Sequence, residues 1–332
     1  MKRLVRRAGR SGRIAAKLAW SILHRHHPLM VHLIPIRRCN LACAYCNEYD
    51  ATSPPVPLAA LRRRVDLLAG LGTSLVTLSG GEPLLHPEID QVVEHVRRRG
   101  MIATLITNGY LLSPDRIEGL NRAGLDHLQI SIDNVEPDDV SMKSLRLLEP
   151  KLQWLAERAL FAVNVNSVVG GAIRDPRDAL AVTRRARELG FSSSVGIIHD
   201  GSGQLARLGP EALGVYQELQ QLRPLNVNRL DRLWQDNLAL GRPNEWRCRA
   251  GARYFYVDEF GLVHYCSQYR RGPGTPLERY GREDIRREYN TRKACAPYCT
   301  INCAQQTALL DNWRSPQGDF PVAPAPRPVA RG

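Results

Sequence analysis

The sequence predicts an α/β fold: a partial (β/α)6 barrel of parallel strands, followed by a small cysteine-rich extension built from a β-hairpin and a helix. Three observations predict it. Strand-like runs recur at residues 31–36, 75–78, 102–107, 128–132, 161–169 and 194–198. Helical stretches of suitable length fill the gaps, around 58–69, 87–99, 113–122, 144–160 and 175–189, and strands separated by helices run parallel with right-handed crossovers. Glycine-rich and cysteine-rich motifs follow directly after strands, where such barrels carry their functional loops. Six strands rather than eight make the barrel incomplete.

The chain opens on a basic leader, residues 1–30. It holds Lys2, Arg3, Arg6, Arg7, Arg10, Arg13, Lys17 and Arg25 and no acidic residue, so +8 of the net charge of +13 lies here and the remaining 302 residues carry +5. The body is only mildly basic, and nucleic acid is not an expected partner, because binding would rest on the leader alone. Ile14, Ala15, Leu18, Ala19, Ile22 and Leu23 recur at helical spacing with Trp20 beside them, which reads as an amphipathic helix. Lys17 interrupts the only candidate apolar core of a secretion signal. The preferred expectation is a helix packed across the bottom of the barrel with its basic face in water. The second is contact of residues 1–28 with an anionic membrane surface. No stretch is long and apolar enough for a transmembrane helix, so a cytoplasmic location is expected, peripheral to the membrane under the second reading. At 332 residues, 43% hydrophobic and 24% charged, the composition is that of a globular protein with ample core.

The first strand runs straight into Arg38-Cys39-Asn40-Leu41-Ala42-Cys43-Ala44-Tyr45-Cys46. Three thiols within eight residues are soft ligands suited to an iron–sulfur cluster or zinc. Cys43-x-x-Cys46 alone would suit a redox pair or half of a zinc site. A redox pair has no use for Cys39, and a zinc half-site needs matching partners. The second strand leads into Ser79-Gly80-Gly81-Glu82-Pro83, where paired glycines let backbone approach a ligand and a carboxylate can accept a bond from an ammonium group. The plain alternative is a tight strand-to-helix turn. Strand three ends in Thr107-Asn108-Gly109, and strand four reads Gln129-Ile130-Ser131-Ile132-Asp133. Strand five puts Asn164 and Asn166 on one face, as ligand contacts or as satisfied core amides. After strand six, His199-Asp200-Gly201-Ser202-Gly203 is read as a loop signature ahead of a proton-moving pair.

Residues 204–247 read as a polar helical bridge. A glycine-turned hairpin then brings Cys248 and Cys266 towards each other. Cys295, Cys299 and Cys303 recur every four residues, as along one helix face, although Pro297 argues against a regular helix. The eight cysteines thus form an N-terminal trio and a C-terminal five. A disulfide-stapled secreted domain is disfavoured by the chain's size, and zinc is the structural alternative for the five. The proline-rich tail, 315–332, is expected to be disordered. The organisation is therefore a leader (1–30), a barrel (31–203), a bridge (204–247), a cysteine-rich domain (248–314) and a tail.

The C-x3-C-x2-C spacing, with aromatic Tyr45 before its last cysteine, resembles the radical S-adenosylmethionine (AdoMet, SAM) superfamily. Gly80-Gly81-Glu82-Pro83, Thr107-Asn108-Gly109 and Ser131-Ile132-Asp133 are similar to that family's motifs, in register. The C-x12-G-x4-C pattern of Cys248, Gly261 and Cys266 resembles its SPASM/twitch extension. The resemblance implies the same partial barrel, with a [4Fe–4S] cluster on Cys39, Cys43 and Cys46 whose open iron takes AdoMet. One electron, from a reductase or a flavodoxin- or ferredoxin-type donor, would cleave AdoMet to a 5′-deoxyadenosyl radical that abstracts hydrogen from a C–H bond. Gly80, Gly81 and Glu82 would meet the AdoMet amino group, while Tyr45, Asn108, Ser131 and Asp133, with Asn164 and Asn166, line the rest. Many relatives place an arginine soon after strand four for the AdoMet carboxylate; here 134–143 offers Lys143 as its only base.

The extension implies an auxiliary [4Fe–4S] cluster on Cys248, Cys266 and two of Cys295, Cys299 and Cys303. The fifth cysteine would be an alternative ligand, a buried thiol or a hydrogen-atom donor. Oxidation, epimerisation or bond formation would follow. The substrate expected is a small molecule, or a peptide delivered by a separate protein, because 30 residues before the barrel cannot hold a peptide-recognition domain. A membrane lipid is the second reading. A non-catalytic metal- or nucleic-acid-binding protein is the third, and it leaves the Gly-Gly-Glu-Pro motif unexplained.

Overall fold

A computed structural model of the chain describes the backbone of residues 2–46, 48–171, 173–198, 205, 207–222, 229–270, 272–313 and 322–323, with side chains from residue 9 onward except 229–233 and 322–323. Helix α1 (Lys2–Leu23) precedes the barrel elements β1 (Met30–Ile36), α2 (Leu58–Gly70), β2 (Leu75–Gly80), α3 (Ile89–Arg98), β3 (Ile102–Thr107), α4 (Pro114–Ala123), β4 (His127–Ser131), α5 (Leu145–Arg158), β5 (Ala162–Val169), α6 (Asp178–Glu188) and β6 (Ser192–Ile197). All six expected strands and five expected helices are present. Helices α7 (Pro210–Leu222) and α8 (Arg229–Ala239) form the bridge. The extension holds β7 (Tyr254–Val257), β8 (Leu262–His264), β9 (Thr275–Pro276), α9 (Arg282–Asn290) and α10 (Asn302–Asn312). The His199–Gly203 loop and nearly all of the 315–332 tail lie outside the described residues.

The strands form one sheet in the order β6-β5-β4-β3-β2-β1-β7-β8-β9. Pairing is parallel from β6 to β7 and antiparallel through β8 to β9. The order is linear, so among the described residues hydrogen bonds do not close the sheet. The hairpin of the extension continues the barrel sheet itself, with Met30 opposite Tyr254 and Leu33 opposite Val257.

Alternation divides the faces. Val31, Leu33, Val76, Leu78, Leu105, Leu128, Ile130 and Val165 face the helices and are buried with them. The inner face is polar instead: His32 pairs in register with Thr77, Thr77 with Thr104, and the Thr104 hydroxyl donates to Thr77 Oγ1 at 2.8 Å. Strands of a parallel sheet are usually apolar on both faces, so this polar stripe marks the inner face as the lining of a site. Pro35 would break a central ladder; it is accommodated because the β1–β2 register shifts between Leu33 and Ile36 and the β1–β7 ladder ends at Leu33.

The β6 edge is covered by α7 and α8, which bury Val195 and Ile197 against Val215, Leu219 and Leu238. From there the bridge is tied to the extension: Trp234 packs against Trp246 with ring centroids 5.0 Å apart and planes tilted by 32°, and Trp246 Nε1 donates to Ala296 O at 2.6 Å.

Helix α1 does lie across the bottom of the barrel, but its orientation reverses the expectation. The basic side faces inward: Arg13 pairs with buried Asp126 at 2.7 Å, Arg10 donates to Leu160 O at 3.4 Å, and the Ser21 and Ser74 hydroxyls meet at 3.3 Å. The apolar side faces solvent. The reason is local. The N-terminal strand ends offer a carboxylate and a carbonyl oxygen, which select cations over methyl groups. Arg253 completes the dock by donating to Ser21 O, His24 O and His27 O, carbonyls of the α1 C-terminus and the turn after it.

Candidate active site

The cysteine loop leaves β1 at its C-terminal end and is pinned at both sides. At its base Cys39 N donates to Asp50 O and Asp50 N to Arg37 O. Further along, Ala44 N donates to Val140 O at 2.9 Å, tying the loop to the segment after β4. The glycine pair acts here. Gly80 has φ 123°, and a Cβ on Gly80 would lie 2.6 Å from Ile36 O, while one on Gly81 would lie 2.5 Å from the Arg38 carbonyl carbon. The sequence reading assigned the glycines to the approach of a ligand; what their missing side chains admit in this structure is the backbone of Ile36–Arg38. Gly81 N and Glu82 N donate to Ile36 O and Arg38 O at 3.2 and 3.0 Å. The pair thereby sets the position of the cysteines.

Of the three thiols, Cys43 is buried, Cys39 half-buried and Cys46 exposed. Asn108 Nδ2 reaches Cys39 Sγ at 3.7 Å and Asn40 Oδ1 at 2.8 Å, and Cys43 Sγ lies 3.6 Å from Ser141 Oγ. Burial raises the thiol of Cys39. A cluster's positive irons would reverse that preference by taking thiolates.

Glu82 is fully buried. Its Oε1 accepts from Leu84 N at 3.0 Å and from the Thr107 hydroxyl at 2.7 Å, and its Oε2 from Asn108 N at 2.8 Å. The carboxylate thus staples the β2 loop to the β3 loop. Burial, opposed by those three donors, moves its carboxyl up to about 7.

Asp133 is the hub of a second group. Its Oδ2 accepts from the Tyr45 hydroxyl, from Ser141 Oγ at 2.7 Å and from Lys143 Nζ at 2.9 Å. Lys143 also donates to the Tyr45 hydroxyl and lies 5.0 Å from that ring's centroid. Burial opposes the charge on Lys143, yet the Asp133 carboxylate and the Tyr45 oxygen outweigh it and hold the ammonium well above its ordinary range. Asp133 Oδ1 is buried and has no hydrogen-bond partner among the described residues. An orphaned acceptor of this kind fits a ligand donor.

Ser131 ends β4, half-buried, two residues before this hub. Asn164 and Asn166 share one face, as alternation required, and are engaged with β6: Ser192 Oγ donates to Asn164 Oδ1 at 3.0 Å, Asn164 Nδ2 to Ser194 Oγ at 2.8 Å, and Ser194 Oγ to Asn166 Oδ1 at 2.8 Å. Sequence reasoning missed Ser141 as a ligand of Asp133, and no pattern announced it. It also passed over the Thr107 hydroxyl, although that residue stands within a motif it had singled out.

The C-terminal cysteines gather on the far side of β7. Cys248 and Cys266 share an apolar cluster with Tyr254, Ala296 and Ala304. Cys295 and Cys299 flank a single turn at Ala296–Tyr298 that contains Pro297, and Cys303 alone lies in α10. The four-residue periodicity ends because the backbone is extended at Cys299 and Ile301, between that turn and α10; Pro297 sits at the start of its turn, where a missing N–H is tolerated. Burial pushes the Cys248 thiol up to about 12 and raises Cys266, Cys295 and Cys299 as well. A thiolate at Cys299 would feel Cys248, Cys266 and Cys295, and one at Cys266 would feel Cys248 and Cys295. Cys303, with Cys266, lies near the Tyr254 phenol. Among the described residues no three His, Cys, Asp or Glu side chains already stand at the spacing of ligands around one metal ion.

Against known proteins, residues 33–204 match the model of the Radical SAM superfamily. PqqA peptide cyclase of Xanthomonas axonopodis pv. citri (strain 306) is 37% identical over 119 residues, covering 33% of this chain and 30% of that protein. PqqA peptide cyclase of Gluconobacter oxydans (strain 621H) is 38% identical over 101 residues, covering 30% and 28%. The chain therefore spans under a third of the length of the curated relatives it matches. Among solved structures, Streptococcus suis SuiB bound to S-adenosylmethionine aligns with a TM-score of 0.62 at 13% identity, over 86% of this chain and 74% of that one. Native anSMEcpe with bound AdoMet and Cp18Cys peptide aligns with a TM-score of 0.56 at 17% identity, over 84% and 88%. Both share the fold.

Proposed function

The chain belongs to the radical SAM superfamily, and from that premise we propose that it modifies a peptide by radical chemistry begun at the Cys39–Cys46 loop and assisted at the C-terminal cysteines. When bound, AdoMet and its [4Fe–4S] cluster supply a hydrogen-abstracting radical by one-electron cleavage. The observation that carries the reading is a three-thiol loop at the C-terminal end of β1, tied through Cys43 and Ser141 to the buried Asp133 carboxylate after β4, which keeps one oxygen without a donor among the described residues.

Cys39, Cys43 and Cys46 would hold the catalytic cluster. Gly80, Gly81 and Glu82 would offer their backbone and carboxylate to the AdoMet amino group, with Glu82 also fixing the Asn108 loop. Tyr45, Asn108 and Ser131 would line AdoMet, and Asp133 Oδ1 would accept a hydrogen bond from it. Lys143, held by Asp133 and Tyr45, would take the place of the arginine of many relatives towards the AdoMet carboxylate. The amide and hydroxyl ladder of Asn164, Asn166, Ser192 and Ser194 gives the inner face the hydrogen-bonding character of a peptide's own main chain, and the two relatives named as peptide cyclases favour the same substrate class. The electron donor would be a reductase or a flavodoxin- or ferredoxin-type protein. Cys248, Cys266, Cys295 and Cys299 would hold the auxiliary cluster, an acceptor for the electron released in net oxidation or bond formation.

Anaerobic reconstitution followed by iron and acid-labile sulfide analysis tests the two sites together. About eight irons per chain are expected, with 5′-deoxyadenosine released on reduction in the presence of AdoMet. Cys299→Ser should fall to about four irons while Cys303→Ser keeps about eight. Iron retained without 5′-deoxyadenosine release would refute the enzymatic reading, and equal iron in the two variants would refute the quartet.

A further inference from the structure

Helix α1 is amphipathic with its faces exchanged relative to an ordinary surface helix, which buries its apolar stripe. At 3.6 residues per turn, Arg10, Arg13, Lys17 and Ser21 share the side that meets the barrel. The opposite side carries Ala15, Ala16, Leu18, Ala19, Ile22 and Leu23. All six are exposed, Leu18 by 39%, Ile22 by 41% and Leu23 by 78%. Specific polar anchors hold the helix this way round: Arg13 on Asp126, and Arg253 on the Ser21 and His24 carbonyls. A contiguous apolar face kept in water by charged anchors marks an interaction surface.

The ground around it is basic. Arg98, Arg99, Arg122, Arg158 and Arg187 stand exposed at or just beyond the C-terminal ends of α3 to α6. Helix dipoles alone account for arginines at such ends. The parallel arrangement brings them all to the end of the barrel that α1 crosses. Glu94, Asp66 and Glu188, paired with Arg98, Arg99 and Arg185, offset part of this charge, whereas the leader carries eight basic residues and no acidic one, of which Arg13 is neutralised by Asp126.

We propose that this end of the molecule docks on an anionic lipid bilayer, with α1 in the interface, its apolar face at the acyl boundary and the arginine rim on the headgroups. A second copy of the chain fits less well, because a symmetric contact would set two basic rims against each other. The proposal does not depend on the enzymatic reading. It has a consequence for that reading all the same. The cysteine loop, Glu82 and Asp133 lie at the opposite ends of the strands, about 20 Å away at 3.3 Å per residue. A chain seated in this way turns its catalytic mouth to the aqueous side and receives a soluble substrate, not a lipid from the bilayer that holds it.

Co-sedimentation of the reconstituted full chain tests this, using vesicles of phosphatidylcholine alone and of phosphatidylcholine with phosphatidylglycerol in equal parts. Binding is expected on the anionic vesicles, weakened by added salt, and reduced by about tenfold or more in a Leu18→Asp/Ile22→Asp/Leu23→Asp variant. Phe260→Ser, which removes an exposed apolar group remote in sequence from α1, should bind as the unaltered chain does, and a shared urea midpoint shows that the variants are folded. Absence of binding to anionic vesicles, or equal binding by the triple variant, would overturn the proposal. So would a dimer of the unaltered chain, seen by light scattering, that the triple variant splits while neither binds lipid.

Discussion

Replacing Gly81 by alanine probes the contact on which the cysteine loop depends. A Cβ at this position would sit 2.5 Å from the Arg38 carbonyl carbon, with the Arg37 and Arg38 oxygens closer still. Carbon atoms pack at about 3.5 Å or more, so the two backbones must part by about 1 Å. Neither can yield by rotating a side chain, because every crowded atom belongs to the main chain. The shift falls on the hydrogen bonds from Gly81 N to Ile36 O and from Glu82 N to Arg38 O, and Cys39 is the next residue along. Overpacking of this kind costs about 1–3 kcal/mol of stability. A misplacement of about 1 Å at a reacting centre costs on the order of a hundredfold in rate. The expected result is therefore a folded protein with a modestly lowered urea midpoint, reduced iron on reconstitution, and 5′-deoxyadenosine release down by roughly two orders of magnitude. Gly70→Ala is the control, since a Cβ there meets nothing within 4 Å; it should leave iron and turnover unchanged. Full iron and full turnover in Gly81→Ala would show that the glycine pair does not set the cysteine loop.

Two further predictions concern the frame of the site. Arg253 and Asp311 form an ion pair at 2.7 Å with both side chains wholly buried, so Asp311→Ala leaves an uncompensated buried cation and should cost about 3–5 kcal/mol. The loss should appear as a lowered urea midpoint together with earlier proteolysis of α1, and an unchanged midpoint would refute the role assigned to the pair. His32 is buried and its imidazole is lowered to about 4 from 6.5. The folded chain therefore holds it neutral, and the stability it contributes is complete above pH 6.5 and lost as the pH falls through 4. At 1.36 kcal/mol per unit the contribution is at most about 3 kcal/mol. A His32→Gln variant should show a shallower loss of stability between pH 6.5 and 4 in urea titrations; parallel profiles would show that His32 does not titrate in this range.

The motifs that sequence revealed are those whose chemistry is local. The C-x3-C-x2-C loop, the Gly-Gly-Glu-Pro turn and the strand–helix alternation each depend on residues close together in the chain, and the structure places them at successive C-terminal strand ends. Gly80 and Gly81 were legible as a place where something approaches closely. That the approaching group is the backbone of Ile36–Arg38 was not legible, because those residues lie more than 40 positions away. Lys143 was visible as the only base of its segment, whereas its clamp by Asp133 and Tyr45 requires the loop after β4 to meet the loop after β1.

Sequence by itself determined the barrel's strands, the family and which residue types serve each loop, because periodicity and short motifs are encoded at short range. Only the tertiary structure decided how the five C-terminal cysteines are distributed: Cys248 and Cys266 share one apolar cluster with Cys303 packed against it, while Cys295 and Cys299 flank a separate turn, because the chain runs extended between that turn and α10 where even spacing suggested one helix. The tertiary structure also decided the direction of α1. An amphipathic pattern says that a helix has two faces, but which one is buried depends on what waits beneath it. Here that is Asp126, Leu160 O and Ser74, a polar floor that took the arginines and left the leucines outside.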